Sequence, residues 1–162
     1  NAAAGVVPVE AGPWGNEDSD WELAMNANVM APYRLTRMLM PDMESHGKGS
    51  IINVESCGGF TPILPSIAYG TSKAALMFLT RALAKACAPH ARVNALCVGS
   101  MSPDGVELEI HKGYKLADRN AIKRFGAADE AVGTAILLAS DASSYTTGSC
   151  VFVEGGRVGT VA

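Results

Sequence analysis

The 162-residue chain has no apolar run approaching the length of a membrane span, and that excludes a helical membrane anchor within it. It has no basic stripe. With a formal net charge of −3, a nucleic-acid surface is excluded as well. The three His residues show no ligand-like spacing, so no metal site is expected. The four Cys residues (Cys57, Cys87, Cys97, Cys150) form no C-x-x-C pair, and three lie in or beside apolar segments, which reads as reduced thiols of a cytoplasmic protein. No internal repeat and no low-complexity segment interrupts the chain. The C-terminal GTVA is not a peroxisomal signal. The context around Ser56 lacks G-x-S-x-G, because Val54 stands two residues before it, so a serine hydrolase using His90 or His111 is disfavoured. There is also no G-x-x-x-G-x-G turn following a first strand.

Apolar residues make up 48% of the chain and charged residues 18%, a balance that can bury one core; residues 1–162 read as a single domain. Residues 6–18 are rich in Pro, Gly and Asp and read as loop. Capping-box spacing in Ser19–Glu22 predicts a helix starting near Asp20 and running toward Met43, with Pro32 and Pro41 as kinks or breaks. A continuous apolar run at 51–54 suits a parallel strand covered on both faces. A helix is predicted from about Ser66 to Ala88, with Ala68, Ala75, Leu76, Leu79 and Leu83 on its apolar face and Pro89 as its stop. Strand 92–98, a mixed polar segment 100–124, helix 127–140 and strand 149–153 complete the pattern. This alternation implies an α/β fold with a parallel sheet between helical layers, and ligands in such folds bind beyond the carboxyl ends of the strands.

Tyr69 and Lys73 carry the most chemistry. Four residues apart on a helix, they project from one face. A phenol has a reference pKa of about 10, and lowering it by three units takes about 4 kcal/mol. One cation about 4 Å away at an effective dielectric near 20 supplies roughly that much. Ser56 precedes Tyr69 by thirteen residues, after an apolar strand and before a Gly-rich turn, and Asn28 lies in an earlier helix. Taken alone, Ser56 reads as a turn serine and Asn28 as an asparagine bonding backbone at a kink beside Pro32. Asn53 and Asn94 read as bridges between elements.

The order of these segments resembles the short-chain dehydrogenase/reductase family over essentially the whole chain. NAAAG at the start is similar to the family's Asn-Asn-Ala-Gly segment; AMNANVMAP to its Asn-bearing helix; IINVESCGG to its Asn-hydrophobic-Ser-Ser strand end, with Glu55 replacing the first Ser. YGTSK is similar to its Tyr/Lys motif and RVNALCVGSM to its Arg-Val-Asn…Pro-Gly turn, while RFGAADEAVGTAILLASDASSYTTGSCVFVEGG resembles its last helix and strand. The resemblance implies a Rossmann-like doubly wound parallel sheet, here partial, with the first strands and the phosphate-binding turn missing and the chain forming the C-terminal part of the domain. It implies hydride transfer between NAD or NADP and a small-molecule carbonyl or secondary alcohol. Tyr69 would give or take the proton, with its pKa lowered by Lys73; Ser56 would hold the substrate oxygen, and Asn28 a water. Asn1, Ala2, Tyr69, Lys73, Val98, Gly99 and Met101 would meet the cofactor, and Ser56, Cys57, Ile63 and Leu64 the substrate, under a lid spanning 100–124. The full-length parent would be a homodimer or homotetramer, built on the helices at about 20–43 and 66–88. The chain departs from the family pattern at Val98 (usually Pro) and at Pro103, which replaces the Thr that commonly follows near the cofactor amide (Ser102 being a possible substitute), and this bears on cofactor orientation. A non-catalytic scaffold with the same fold, or an inactive fragment, is the alternative.

Overall fold

The computed structural model describes residues 12–107 and 115–158. Three parallel strands form its centre. β1 (Ser50–Ser56) pairs with β2 (Arg92–Val98), which pairs with β5 (Cys150–Val153). β2 is buried along most of its length, as expected of a middle strand covered on both faces. α1 (Asp18–Met25), α2 (Ala31–His46) and α3 (Ile67–Cys87) lie on one face, where Ile51 and Val93 form a core with Leu83, Ala84, Cys87 and Ala91, flanked by Met40, Met43 and Leu79. α4 (Val132–Ala139) covers the other face, with the Ser50 hydroxyl donating to the Leu138 carbonyl. A separate short pair, β3 (Met101–Ser102) and β4 (Gly126–Ala127), closes the ends of the segment between β2 and α4.

Local chemistry explains the boundaries. α1 begins at Asp18, not near Asp20: the Glu17 N–H donates to the Asp20 carboxylate at 2.9 Å, so Asp20, not Glu22, answers the free donor of the first turn. The predicted break at Pro41 does not occur, and α2 runs through to His46. Pro41 and Arg37, whose carbonyl loses its partner, are both exposed, so water can satisfy that carbonyl. Pro32 does interrupt the helix pattern. Between α1 and α2 lies a wider π turn, Asn26–Met30, in which the Ala31 N–H reaches back to the Asn26 carbonyl. Pro32 has no N–H to direct at the Asn28 carbonyl, which favours a local change of winding. The predicted helix 127–140 opens instead with a 3₁₀ turn, Ala128–Ala131. There the Glu130 carboxylate accepts from the Ala127 N–H at 2.7 Å and pairs with Arg124.

The two predicted bridging asparagines are buried and paired. Asn53 donates to the Thr80 hydroxyl at 2.9 Å and fixes β1 on α3. Asn94 donates to the Thr146 carbonyl at 2.8 Å and accepts from the Ser149 N–H at 3.1 Å, which aligns β5. Arg92 donates to the Leu138 and Ser140 carbonyls, satisfying acceptors at the carboxyl end of α4. All four cysteines are free thiols.

Candidate active site at the strand ends

Ser56 is the last residue of β1, and its register partner on β2 is Val98. The chain turns at once into Cys57–Gly59, where the Gly58 N–H donates to the Ser56 hydroxyl oxygen at 3.1 Å. Gly58 and Gly59 are needed here for space. A Cβ on Gly58 would lie 2.6 Å from Ile63 Cδ1, and one on Gly59 would meet the α3 backbone at 3.0 Å. The turn therefore sits close against α3, and the Ser56 side chain is near enough to Tyr69 to favour the ionised phenol. The start of α3 is fixed from outside the helix: the Asn16 carboxamide accepts from the Ala68 N–H at 3.0 Å and donates to the Pro65 carbonyl at 3.1 Å.

One turn beyond Tyr69, Lys73 is 2% exposed. Its ammonium donates to the Val54 carbonyl at 2.9 Å and lies 5.7 Å from the centroid of the Tyr69 ring. Asn28, fully buried in the π turn, donates to the Ser72 hydroxyl at 3.0 Å, and Ser72 donates to the Tyr69 carbonyl at 2.7 Å. The Asn28 Oδ1 is buried with no hydrogen-bond partner among the described residues. Asn28, Ser56, Tyr69 and Lys73 thus converge from three elements at the carboxyl end of β1.

The electrostatics differ from the sequence-based expectation. Burial holds the Tyr69 phenol above its ordinary value; the Ser56 side chain works against that, and Cys57, Glu55 and Cys97 add to it. Burial lowers the Lys73 pKa, opposed by Glu55 and Cys97. The one-turn spacing therefore does not by itself yield an acidic phenol, because burial of the phenol is the largest influence on it and raises its pKa. Sequence reasoning noticed Glu55 only as a replacement for Ser. In the structure it is 1% exposed, accepts from the Ser56 N–H at 3.0 Å, and has its pKa pushed up to about 7, chiefly by burial. Alternation along β1 was the available signal: Ile51, Asn53 and Glu55 share the parity that meets α3.

The residues expected at the cofactor are distributed along the same rim. Val98 and Gly99 end β2, where the Gly99 N–H donates to the Val153 carbonyl and a Cβ on Gly99 would lie 2.7 Å from Glu154 Cα. Met101 opens β3 and packs toward Gly126. Asn1 and Ala2 lie outside the described residues. A phenol and an ammonium on one rim suit the diol of a nicotinamide riboside. Among the described residues no Gly-rich turn suits a pyrophosphate. Of the residues expected at the substrate, Cys57 is buried at the turn, and Ile63 and Leu64 line a groove of about 240 Å³ together with Gly58 and Gly59 of that turn and Gly70, Thr71 and Ala74 of α3. A Cβ on Gly58 would lie 2.6 Å from Ile63 Cδ1 and 3.4 Å from Ser56 Oγ, so Ile63 stands beside Ser56.

Known proteins give the same reading of the fold. The family model described as enoyl-(acyl carrier protein) reductase matches residues 1–157. The 3-oxoacyl-(acyl-carrier-protein) reductase FabG of Thermotoga maritima is 33% identical over 144 residues, covering 88% of this chain and 58% of that protein. Human dehydrogenase/reductase SDR family member 4 is 34% identical over 140 residues, covering 84% of this chain and 50% of that protein. The structure of a gluconate 5-dehydrogenase from Burkholderia cenocepacia, in complex with NADP and tartrate, superposes with a TM-score of 0.84 at 27% identity, over 99% of this chain and 64% of that one. The chain spans between about half and two thirds of the length of such relatives. With Ser56, Tyr69 and Lys73 meeting at the end of a parallel strand and a family model matching nearly from end to end, the chain belongs to the short-chain dehydrogenase/reductase family of oxidoreductases.

Proposed function

We propose that the protein containing this chain is an NAD- or NADP-dependent oxidoreductase that interconverts a carbonyl and a secondary alcohol, with Ser56, Tyr69, Lys73 and Asn28 as its proton-handling site. The observation that carries this reading is the convergence of Ser56, Tyr69 and the buried Lys73 at the carboxyl end of β1, with the Lys73 ammonium 5.7 Å from the centroid of the Tyr69 ring. A bound nicotinamide supplies or accepts the hydride. Ser56 donates to the substrate oxygen and orients it, and Tyr69 delivers the proton to that oxygen in reduction or removes it in oxidation. Lys73, anchored on the Val54 carbonyl, keeps a positive charge beside the phenol and has donors for a ribose. The buried, unpartnered Oδ1 of Asn28 is an acceptor suited to a water that returns protons from solvent. Val98, Gly99 and Met101 line the cofactor side of the rim, and Cys57 the substrate side. The helices that bear these groups expose apolar faces suited to a homodimer or homotetramer of the whole protein.

In the full-length protein, Tyr69→Phe removes one hydroxyl and leaves the ring packing in place. Turnover with NAD(P) and a responsive ketone or alcohol should fall by at least about 10²–10⁴-fold, with circular dichroism unchanged. Wild-type rates in this variant would remove Tyr69 as the acid and with it the proposed chemistry.

A further inference from the structure

Glu55 is a buried carboxyl that the mechanism above does not use. Its side chain falls on the α3 face of β1. Oε2 accepts from the Ser56 N–H at 3.0 Å, and Oε1 is buried without a hydrogen-bond partner among the described residues. The titratable groups that face it come from three elements: Lys73 and Tyr69 from α3, Cys97 (its register partner) from β2, and Cys150 from β5. Of these, Lys73 alone attracts its negative charge. Tyr69, Cys97 and Cys150 become negative on losing a proton, so an ionised Glu55 opposes that loss in each. A buried carboxylate so placed does two things: it attracts the Lys73 ammonium, and it repels a phenolate.

We propose that Glu55 sets the charge of the Ser56–Tyr69–Lys73 site, holding Tyr69 in its protonated form and so extending the pH range over which the site can donate a proton to a carbonyl, at the expense of alcohol oxidation. The proposal rests on the oxidoreductase reading above. Glu55 touches neither substrate nor cofactor in this scheme; it acts through Tyr69 and Lys73. The sign follows from the electrostatics. As pH rises and Glu55 ionises, the phenol becomes harder to deprotonate, so oxidation climbs later and less steeply with pH, while reduction persists to higher pH.

The test uses the full-length protein and Glu55→Gln, which keeps the shape and the acceptor for the Ser56 N–H but removes the charge. Tyr69 ionisation is followed by ultraviolet difference absorbance, each protein being paired with the same protein carrying Tyr69→Phe so that the remaining tyrosines cancel. The Tyr69 midpoint should fall by on the order of one pH unit in Glu55→Gln, roughly a tenfold rise in phenolate fraction at a pH below both midpoints. The rising limb of kcat for alcohol oxidation should move down by the same amount, and Glu55→Ser should behave alike. An unchanged or higher midpoint overturns the proposal. If neither variant folds, infrared spectra of the unmutated protein decide. A carboxyl band that fades before the Tyr69 phenolate forms as pH rises supports the proposal, and a phenolate that forms first overturns it. A shifted midpoint in a protein without NAD(P)-linked turnover would sink the oxidoreductase reading while leaving the hold of Glu55 on the phenol. Turnover with an unmoved midpoint would do the reverse.

Discussion

At the scale of single residues, identity and spacing made Ser56, Tyr69 and Lys73 legible, because few side chains can serve as a tuned acid and four residues bring two of them onto one helix face. Their environment was not legible. Whether Lys73 acidifies Tyr69 depends on how much each is desolvated and on what else is nearby; burial of the phenol decides it, and Glu55 adds to that in a way that appears only once β1 is laid against α3. The same carboxyl carries a stability consequence. Its folded pKa lies near 7, above its ordinary value of 4.5, so the folded state favours the protonated form. Its contribution is fully present below about 4.5 and is lost as pH rises through 7. A shift of that size corresponds to on the order of 3 kcal/mol between the two extremes. Denaturant unfolding at a series of pH values should therefore show stability falling across this window, and Glu55→Gln should flatten the fall. Parallel pH profiles for the two proteins would show that Glu55 is not buried in a form that resists ionisation.

At the scale of elements, strands 51–54 and 92–98 and the helix at 66–88 could be read within a residue or two, since apolar runs and a terminal Pro mark them clearly. The interruptions were harder. Pro32 and Pro41 look alike in sequence, yet Pro32 adjoins the π turn that buries Asn28, whereas Pro41 sits on an exposed face where water can replace the lost bond. Long-range caps left no sequence signal either: Asn16 bonds the start of α3 across 52 residues. Its carboxamide satisfies the Ala68 N–H, one of the four amides that an α-helix leaves unpaired at its start, and Tyr69 follows directly. Asn16→Ala should cost about 0.5–2 kcal/mol of stability. Because the first turn of α3 would fray, kcat should fall more than cofactor affinity. Asn16→Asp, which keeps an acceptor for Ala68, should recover most of both. Equal stability in Asn16→Ala, measured by thermal unfolding, would mean that α3 starts without this cap.

At the scale of the whole molecule, the topology β1-β2-β5 leaves β1 as an edge among the described residues, with the helices of one face exposing large apolar side chains: Leu23, Leu35, Met38, Leu39 and Phe78, the last 75% exposed. The family resemblance had implied an interface on these helices. An unpaired parallel edge and uncovered apolar stripes favour association. The 162-residue chain also carries no Gly-rich turn at a helix N-terminus, the device by which such folds bind a pyrophosphate. Expressed alone, it should therefore sediment as dimers or larger species, and its affinity for NAD or NADP by calorimetry should be weaker than that of the full-length protein by at least about a hundredfold. The second expectation follows from geometry more than from stability: in the proposed function the site residues serve the nicotinamide end, and the phosphates contribute much of the binding energy through backbone N–H groups of a Gly-rich turn that the described residues do not offer. Micromolar NAD(P) binding by a monodisperse, monomeric preparation of the chain would contradict both, and would require a phosphate site built from residues other than a glycine-rich turn.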